Sequence, residues 1–260
     1  ISDLIRNRIF LERNIQCWGY VHAMADCYLY SKKEFILNPH NSLISYSRRY
    51  YLMPEQQNYF KLSRISSYKD IFIGPLFQNY KKIFKLEKKY KKKIVISVFS
   101  ASIGNNVLNP ISSHFSFFES LLKIIEGLDK NHLFIVKVKK ADIQISKLNK
   151  FFNSIKFRNL QKDNKILMVD DSVNSQELIN ISNGIISMAF TSPTFEAISS
   201  KVPAIFYDPS AITTGNLIED IKDFYITDAS KVKIFIKKIQ NQECDKWIDY
   251  VIEKIGLENG

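Results

Sequence analysis

Ile94-Val-Ile-Ser-Val-Phe99 is the stretch on which the fold depends, because it is a continuous β-rich run that a polar loop follows. Four more short apolar runs come after it, and segments with helical spacing separate them. The five predicted strands are 94–99, 133–136, 165–169, 184–187 and 203–207. Buried strands that alternate with helices are typical of a parallel sheet covered on both faces. We therefore expect a doubly wound, Rossmann-like α/β domain over residues 93–228.

The segments between and after these strands repeat apolar residues with the period of a helix. Helices are predicted at 115–127, 143–155, 175–182, 192–200, 228–240 and 244–255. In a doubly wound sheet, ligands bind beyond the carboxyl ends of the strands. We therefore expect the functional residues in the loops 100–106, 137–140, 170–174, 188–193 and 207–215.

The chain before residue 93 has a different character, being aromatic and irregular. Short strands are predicted at 15–21, 43–46 and 70–73, and a lysine-rich helix or connector at 76–93. The chain begins at Ile1 rather than at a methionine, and we interpret this as the start of a fragment.

The composition excludes several classes of protein. With 260 residues, of which 45% are hydrophobic, the chain has enough apolar material for a sizeable core. No apolar run reaches the roughly 18–20 residues of a membrane span. The cysteines at 17, 27 and 244 are too scattered for a disulfide framework or a zinc ribbon. The GxGxxG and Walker patterns are absent, so classical dinucleotide and P-loop sites are not expected.

The chain is strongly basic, with 37 lysines and arginines against 26 acidic residues and a net charge of +11. Two interpretations stay open: a solvated basic surface, or contact with an anionic partner. Only seven of the basic residues are arginines, which bind phosphates and bases bidentately. No RNP-like or helix-turn-helix pattern is present, and we expect no specific nucleic-acid partner.

The clearest local motif is Ser187-Met-Ala-Phe-Thr-Ser-Pro-Thr-Phe-Glu-Ala-Ile198. It predicts a strand end followed by a helix with Ser192 as its N-cap and Pro193 at the first helical position. The N–H groups of a helix N-terminus suit a phosphate, and the hydroxyls of Thr191 and Ser192 add donors. Glu196 lies about one turn further on, where its carboxylate can accept both hydroxyls of a ribose. An ordinary strand–turn–helix with a solvated glutamate stays open as the alternative.

A family resemblance rests on this motif and on the residues after it. The Thr-Ser-Pro element, Glu196-Ala and Pro203-Ala-Ile-Phe-Tyr-Asp-Pro209 together resemble the donor-site end of bacterial surface polysaccharide biosynthesis proteins. The group in question is named for a Pro-Phe-Thr-Ser motif, which here reads Ala189-Phe190-Thr191-Ser192. Those proteins are similar to GT-B glycosyltransferases, in which two Rossmann-like domains face each other and the C-terminal one binds a nucleotide-sugar.

The resemblance implies a division of the chain into three parts. Residues 1–92 would be the remainder of an N-terminal, acceptor-side α/β domain with its linker. Residues 93–228 would form the Rossmann-like nucleotide-sugar-binding domain, and residues 229–260 would be C-terminal helices that pack back across the domains.

The resemblance also implies roles for residues outside the motif. Lys137 or Lys139 would neutralise the donor diphosphate, although a pair of surface lysines is the alternative. In the loop 100–106, Ser100 and Gly104 would contact the donor phosphates, with Gly104 permitting close backbone approach. That the loop faces the acceptor instead stays open.

The catalytic base is implied by a likeness near residue 22. The stretch Val21-His22-Ala23 is similar to a Gln-His-Gly element of related transferases, and Asp26 follows it closely. Either His22 or Asp26 could take the proton of the acceptor hydroxyl. A structural histidine is the other interpretation.

The function that the resemblance implies is a metal-independent glycosyltransferase without a cofactor, since the nucleotide-sugar is a substrate. Its acceptor would be a growing surface polysaccharide or a lipid-linked glycan. We expect a cytoplasmic protein with peripheral contact to the anionic inner face of the membrane. A CMP-sugar donor stays open, because serine-rich helix starts also suit a single phosphate. The alternative is a non-catalytic Rossmann-like module that binds a nucleotide or an anionic polymer.

Overall fold

The computed structural model describes residues 2–20, 48–51, 70–72, 84–101, 103, 110–213 and 218–256. The chain divides into two compact units. The first takes Ile1–Gln78, Gly215–Leu217 and Ile252–Gly260, and the second takes Asn79–Thr214 and Ile218–Val251. The three-part division drawn from the sequence stays a prediction.

The first unit contains a small parallel sheet. Its described elements are α1 (Ser2–Glu12), β1 (Trp18–Tyr20), β2 (Arg48–Tyr51) and β3 (Asp70–Phe72). The strands pair in the order β1-β2-β3, and both pairs are parallel. Two of the strands predicted here are therefore confirmed in shorter form, while the strand predicted at 43–46 lies outside the described residues.

The second unit is built on a sheet of six strands. They are β4 (Ile94–Phe99), β5 (His132–Lys137), β6 (Ile166–Val169), β7 (Gly184–Met188), β8 (Ala204–Tyr207) and β9 (Tyr225–Ile226). Their spatial order is β6-β5-β4-β7-β8-β9, and every neighbouring pair is parallel. This is the doubly wound arrangement that the sequence predicts, in which the strand order reverses between β4 and β7.

Burial explains why the strands read as continuous apolar runs. All five residues of β7 and all four of β8 are buried, as are five of the six in β4. A parallel strand covered by helices on both faces has no solvent side, so polar alternation is absent. The run at 94–99 therefore marks the centre of the sheet.

Helices connect these strands and close the chain. They are α2 (Ile111–Glu126), α3 (Lys140–Ile143), α4 (Ser146–Phe152), α5 (Ile155–Lys162), α6 (Ser175–Ile179), α7 (Ser192–Ser199), α8 (Ala229–Gln240) and α9 (Asp245–Ile255). The single helix predicted at 143–155 is wrong, because α3, α4 and α5 occupy this region. Ser154 is extended and caps α5 by accepting a hydrogen bond from the N–H of Phe157 at 3.3 Å. No helix of the described ranges is long and apolar enough to cross a bilayer.

Candidate functional site

The carboxyl ends of the three central strands lie level with one another. Phe99 at the end of β4 pairs with Lys137 on one side and with Ser187 on the other. The strand order reverses beside β4, and doubly wound folds bind ligands in the crevice at such a point. The residues that follow these strands are therefore the first candidates for ligand contact.

The helix α7 begins at this edge, one residue earlier than the sequence suggests. Its N-cap is Thr191, with φ −96° and ψ 139°, and Pro193 is the second helical residue. The Thr191 hydroxyl does not cap the helix but donates to the carbonyl oxygen of Met188 at 3.3 Å. The prediction of Ser192 as N-cap is wrong by one position. Ser192 is instead the first helical residue, and half-buried, at the end where the helix dipole is positive.

Glu196 lies one turn into α7 and is half-buried rather than solvated. Burial raises the pKa of its carboxyl group, and the nearby charge of Lys137 acts in the opposite direction. Among the residues that the structure describes, none makes a hydrogen bond or an ion pair with this carboxylate. A half-buried carboxylate without such a partner is suited to accept hydroxyl groups from a ligand.

Lys137 is half-buried at the end of β5, and its Nζ donates to the carbonyl oxygen of Val173 at 2.5 Å. Burial lowers the pKa of Lys137, whereas Asp171, Glu196 and Asp170 raise it and Lys139 lowers it further. Lys137 and Glu196 belong to separate elements, and the charge of each shifts the pKa of the other.

Lys139 and Ser100 have different surroundings from each other. The side chain of Lys139 is exposed, which agrees with the alternative of a pair of surface lysines, whereas Lys137 is half-buried. Ser100 directly follows β4, is 9% exposed, and its Oγ has no hydrogen-bond partner among the described residues.

Three more buried hydroxyls near this edge have no hydrogen-bond partner among the described residues. They belong to Ser113 in α2, Ser187 in β7 and Thr194 in α7. Unpaired buried hydroxyls are uncommon in folded proteins, and a bound water or ion, local strain or a catalytic role accounts for them.

Two buried residues that the sequence does not single out hold the stems of the loop after β4. The Nε2 of His114 lies 2.8 Å from the carbonyl oxygen of Ala101, and its Nδ1 lies 3.2 Å from that of Pro110. Asp142 accepts a hydrogen bond from the N–H of Ile103 at 3.3 Å. Burial raises the pKa of Asp142 in spite of this bond and of the charges of His114 and Lys139. His114 is isolated in the sequence, so no spacing rule could have found it.

Asp208 at the end of β8 organises another loop of the same edge. Its carboxylate accepts from the N–H and Oγ of Ser210, from the N–H and Oγ1 of Thr213, and from Oη of Tyr225. Burial alone would raise the pKa of Asp208, but the hydrogen bonds lower it below its ordinary value. The sequence marks Asp208 only as the end of a strand, because its donors follow it at irregular spacing.

Three predicted site residues, His22, Asp26 and Gly104, lie outside the described residues. Their roles stay predictions. Within the described ranges, no group of three or more histidine, cysteine or acidic side chains could hold a metal ion.

The family model "Polysaccharide biosynthesis PFTS motif protein" matches residues 7–235, which is most of the chain. The chain belongs to this family. The resemblance inferred from Ala189–Ser192 is therefore confirmed. No curated protein matches the sequence.

The fold of this PFTS-family chain is also found among solved structures. The Anabaena protein Alr3699/HepE, solved in complex with UDP-glucose, matches with a TM-score of 0.55 and 11% identity, over 97% of this chain and 72% of that one. UGT89C1 from Arabidopsis thaliana matches with a TM-score of 0.57 and 10% identity, over 99% of this chain and 66% of that one. The predicted GT-B fold class is confirmed.

The motif of the PFTS family occupies the turn between β7 and α7, and its backbone is strained. Phe190 has a φ of 61°, in the left-handed region that residues other than glycine seldom adopt. Its ring stacks on that of Tyr225 with an interplanar angle of 8° and also contacts the ring of Phe206. The ring contacts hold the turn that presents Thr191 and Ser192, and such strain is common at functional sites.

Proposed function

We propose that this protein is a glycosyltransferase that moves a sugar from a nucleotide-sugar donor to a growing surface polysaccharide or a lipid-linked glycan. The observation that carries the proposal is the meeting of Glu196, Lys137 and the N-terminus of α7 at the point where the strand order reverses. Membership of a polysaccharide biosynthesis family supports the same conclusion.

In this proposal the donor phosphates lie against the first turn of α7. The Ser192 hydroxyl and the first N–H groups of the helix would donate to the phosphate oxygens. Lys137 would oppose the charge of the leaving phosphate, since only one of its three donors is used by Val173. Fixed charges and dipoles of this kind stabilise a leaving group without reorganising during the reaction.

Glu196 would bind the ribose of the donor. A carboxylate can accept two hydroxyl hydrogen bonds at once, and the ribose diol offers them side by side. Lys137 would keep the carboxylate ionised against the effect of burial. Because Glu196 is half-buried, these hydrogen bonds would be stronger than the same bonds in water.

The acceptor hydroxyl would be activated by a base, for which His22 and Asp26 stay the candidates. We also propose that the acceptor is lipid-linked and that the protein works at the anionic inner face of the cytoplasmic membrane. The net charge of +11 favours this location.

Calorimetric titration with UDP, GDP, CMP and ADP tests the donor site. HepE is solved with UDP-glucose, which makes UDP the first nucleotide to try. We expect saturable binding of one nucleotide, weakened at least about tenfold in Glu196→Ala, because a hydrogen bond to a charged group is worth about 1.5–3 kcal/mol.

The matched control is Glu119→Ala, which removes an exposed glutamate from α2 and should leave binding unchanged. If no nucleotide binds to the folded protein, the donor site does not exist and the non-catalytic module becomes the better account. If both variants bind as the native chain does, the ribose is not held by Glu196.

A further inference from the structure

One face of α8 combines four lysines with an exposed apolar residue. Ile234 has 55% of its surface exposed, although its helix packs against the sheet through other positions. Lys231, Lys233 and Lys237 are exposed, and Lys238 is half-exposed. We call this set of five residues the lysine face.

Helical geometry places Ile234 in the middle of these lysines. Lys231, Lys237 and Lys238 are three or four residues away from Ile234, so they share its side of the helix. The buried residues of α8 lie on the opposite side and are Val232, Phe235, Ile236 and Ile239. An isolated exposed isoleucine is ordinary on a protein surface, but one surrounded by cations is a pattern of membrane-surface helices.

Few carboxylates neutralise the lysine face. The Oδ2 of Asp223 lies 3.8 Å from the Nζ of Lys238. Asp228 caps the start of the helix by accepting from the N–H of Ser230, and the charge of Lys231 helps to lower the pKa of Asp228. Within the part of the chain that the structure describes, Lys233 and Lys237 form no ion pair.

A cavity of about 140 Å³ continues the apolar surface beside Ile234. Phe235 and Trp247 line it, with Lys231 and Lys238 also bordering it. Its volume is below the roughly 300 Å³ at which pockets begin to enclose a whole small ligand. Burial raises the pKa of the Cys244 thiol in its wall to about 11, so this is not a reactive-cysteine site. The cavity suits the end of an apolar chain next to an anionic group.

The lysine face begins at the edge of the sheet that carries the candidate donor site. β9 ends at Ile226, and α8 starts at Ala229 from the carboxyl edge. The charge of Asp228 at this start acts on Tyr207, the last residue of β8. When the lysine face binds a surface, the carboxyl edge of the sheet therefore lies near that surface.

We propose that the lysine face docks on an anionic lipid surface, with the lysines facing headgroup phosphates and Ile234 entering the interface. Cationic side chains attract the negative cytoplasmic leaflet, and their stems cover apolar surface while the charges reach the headgroups. The purpose of this docking rests on the proposed function, since a lipid-linked acceptor is presented at the membrane. The docking itself is independent of sugar transfer.

Co-sedimentation with vesicles tests the docking. The full chain is mixed with phosphatidylcholine vesicles that contain about 30% phosphatidylglycerol, and separately with pure phosphatidylcholine, at about 0.1 M salt. We expect binding to the anionic vesicles alone. The charge reversal Lys233→Glu with Lys237→Glu should weaken it at least about tenfold, because each lysine contributes to attraction at the surface.

Lys147→Glu with Lys150→Glu is the matched control, since it makes the same charge change at two exposed positions of α4. Binding should survive in this control. Ile234→Ser should weaken binding about two- to fivefold, whereas Ile234→Leu should retain it. Nucleotide titration of the same variants should be unchanged, so a failure of the docking differs from a failure of the donor site.

Three results would overturn the proposal. One is equal binding to neutral and anionic vesicles. Another is equal loss in the α4 and α8 charge reversals, which would mean that only net charge matters. The third is a single-stranded oligonucleotide that binds through Lys233 and Lys237 while vesicles do not, which would assign the lysine face to a nucleic acid.

Discussion

Glu196 is held in a state that costs stability. Its pKa is raised by burial, so the folded protein binds the proton more tightly than the unfolded chain does. Stability is therefore lost as the pH rises from the unfolded pKa through the folded one. We expect Glu196→Gln to raise the melting temperature by about 1–3 °C at pH 7.

Thermal unfolding of both proteins at pH 7 and near pH 4 checks this expectation. The increase in melting temperature should shrink at the lower pH, because the carboxyl group of Glu196 is then largely protonated in both the folded and the unfolded protein. A lower melting temperature for the variant at pH 7 would mean that the attraction of Lys137 outweighs burial.

Asp208 has the opposite dependence on pH, because its hydrogen bonds lower its pKa in the folded protein. The stability that Asp208 contributes is present above the unfolded pKa near 4 and is lost as the pH falls through the folded pKa. Asp208→Asn should lower the free energy of unfolding by about 2–3 kcal/mol at pH 7, since an amide cannot accept from all the donors. The difference in free energy of unfolding between the variant and the native protein should be smaller at pH 3.5.

Urea unfolding at both pH values measures this effect. Asp163→Asn is the control, because it changes an exposed aspartate and should shift the midpoint little at either pH. An equal deficit at pH 7 and pH 3.5 would show that shape, rather than charge, is what Asp208 supplies.

At the scale of the element, Lys165 holds the end of α2. Its buried Nζ donates to the carbonyl oxygens of Ile125, Glu126 and Leu128 at 3.2, 3.3 and 2.5 Å. Ile125 and Glu126 are the last two residues of the helix, Leu128 lies two residues beyond it, and the carbonyl oxygen of Ile125 also accepts from the N–H of Leu128. Carbonyls at a helix end lack partners within the helix, so a cation there supplies donors. We expect Lys165→Met to lower the free energy of unfolding by about 1–3 kcal/mol, as measured by urea.

Lys162→Met is the matched change for this helix-capping test. It removes an exposed lysine from the end of α5 and should alter stability by less than about 0.5 kcal/mol. If both substitutions have the same small effect, water hydrogen-bonds to the carbonyl oxygens at the end of α2 as well as Lys165 does.

The elements that could be predicted are those whose burial leaves a mark on the sequence. β4 to β8 are continuous apolar runs because both of their faces are covered. The sequence does not predict β9, because a strand of two residues shows no hydrophobic period. The apolar spacing also does not reveal the break between α4 and α5, because the cap that Ser154 provides outweighs that spacing. The start of α7 differs from the prediction by one residue, because helix ends are the least sharply determined part of an element.

At the scale of the whole molecule, the sequence predicts the site only where local chemistry is enough. Glu196 and the hydroxyls of Thr191 and Ser192 can be proposed from the sequence because a helix start has a recognisable pattern, and their roles stay predictions. The influence of the Lys137 charge on Glu196 depends on strand order, which alternation alone does not determine. The pairing of His114 with the stems of a loop is likewise a product of tertiary packing.

The strand order also has a consequence for how the molecule is made. The crevice lies between β4 and β7, whose paired residues Ile96 and Gly184 are separated by roughly 90 residues of chain. Closing so long a loop is entropically unfavourable until the intervening strands and helices have formed. The two halves of the crevice therefore meet late in folding, and a ribosome must synthesise most of the second unit before a donor site can exist.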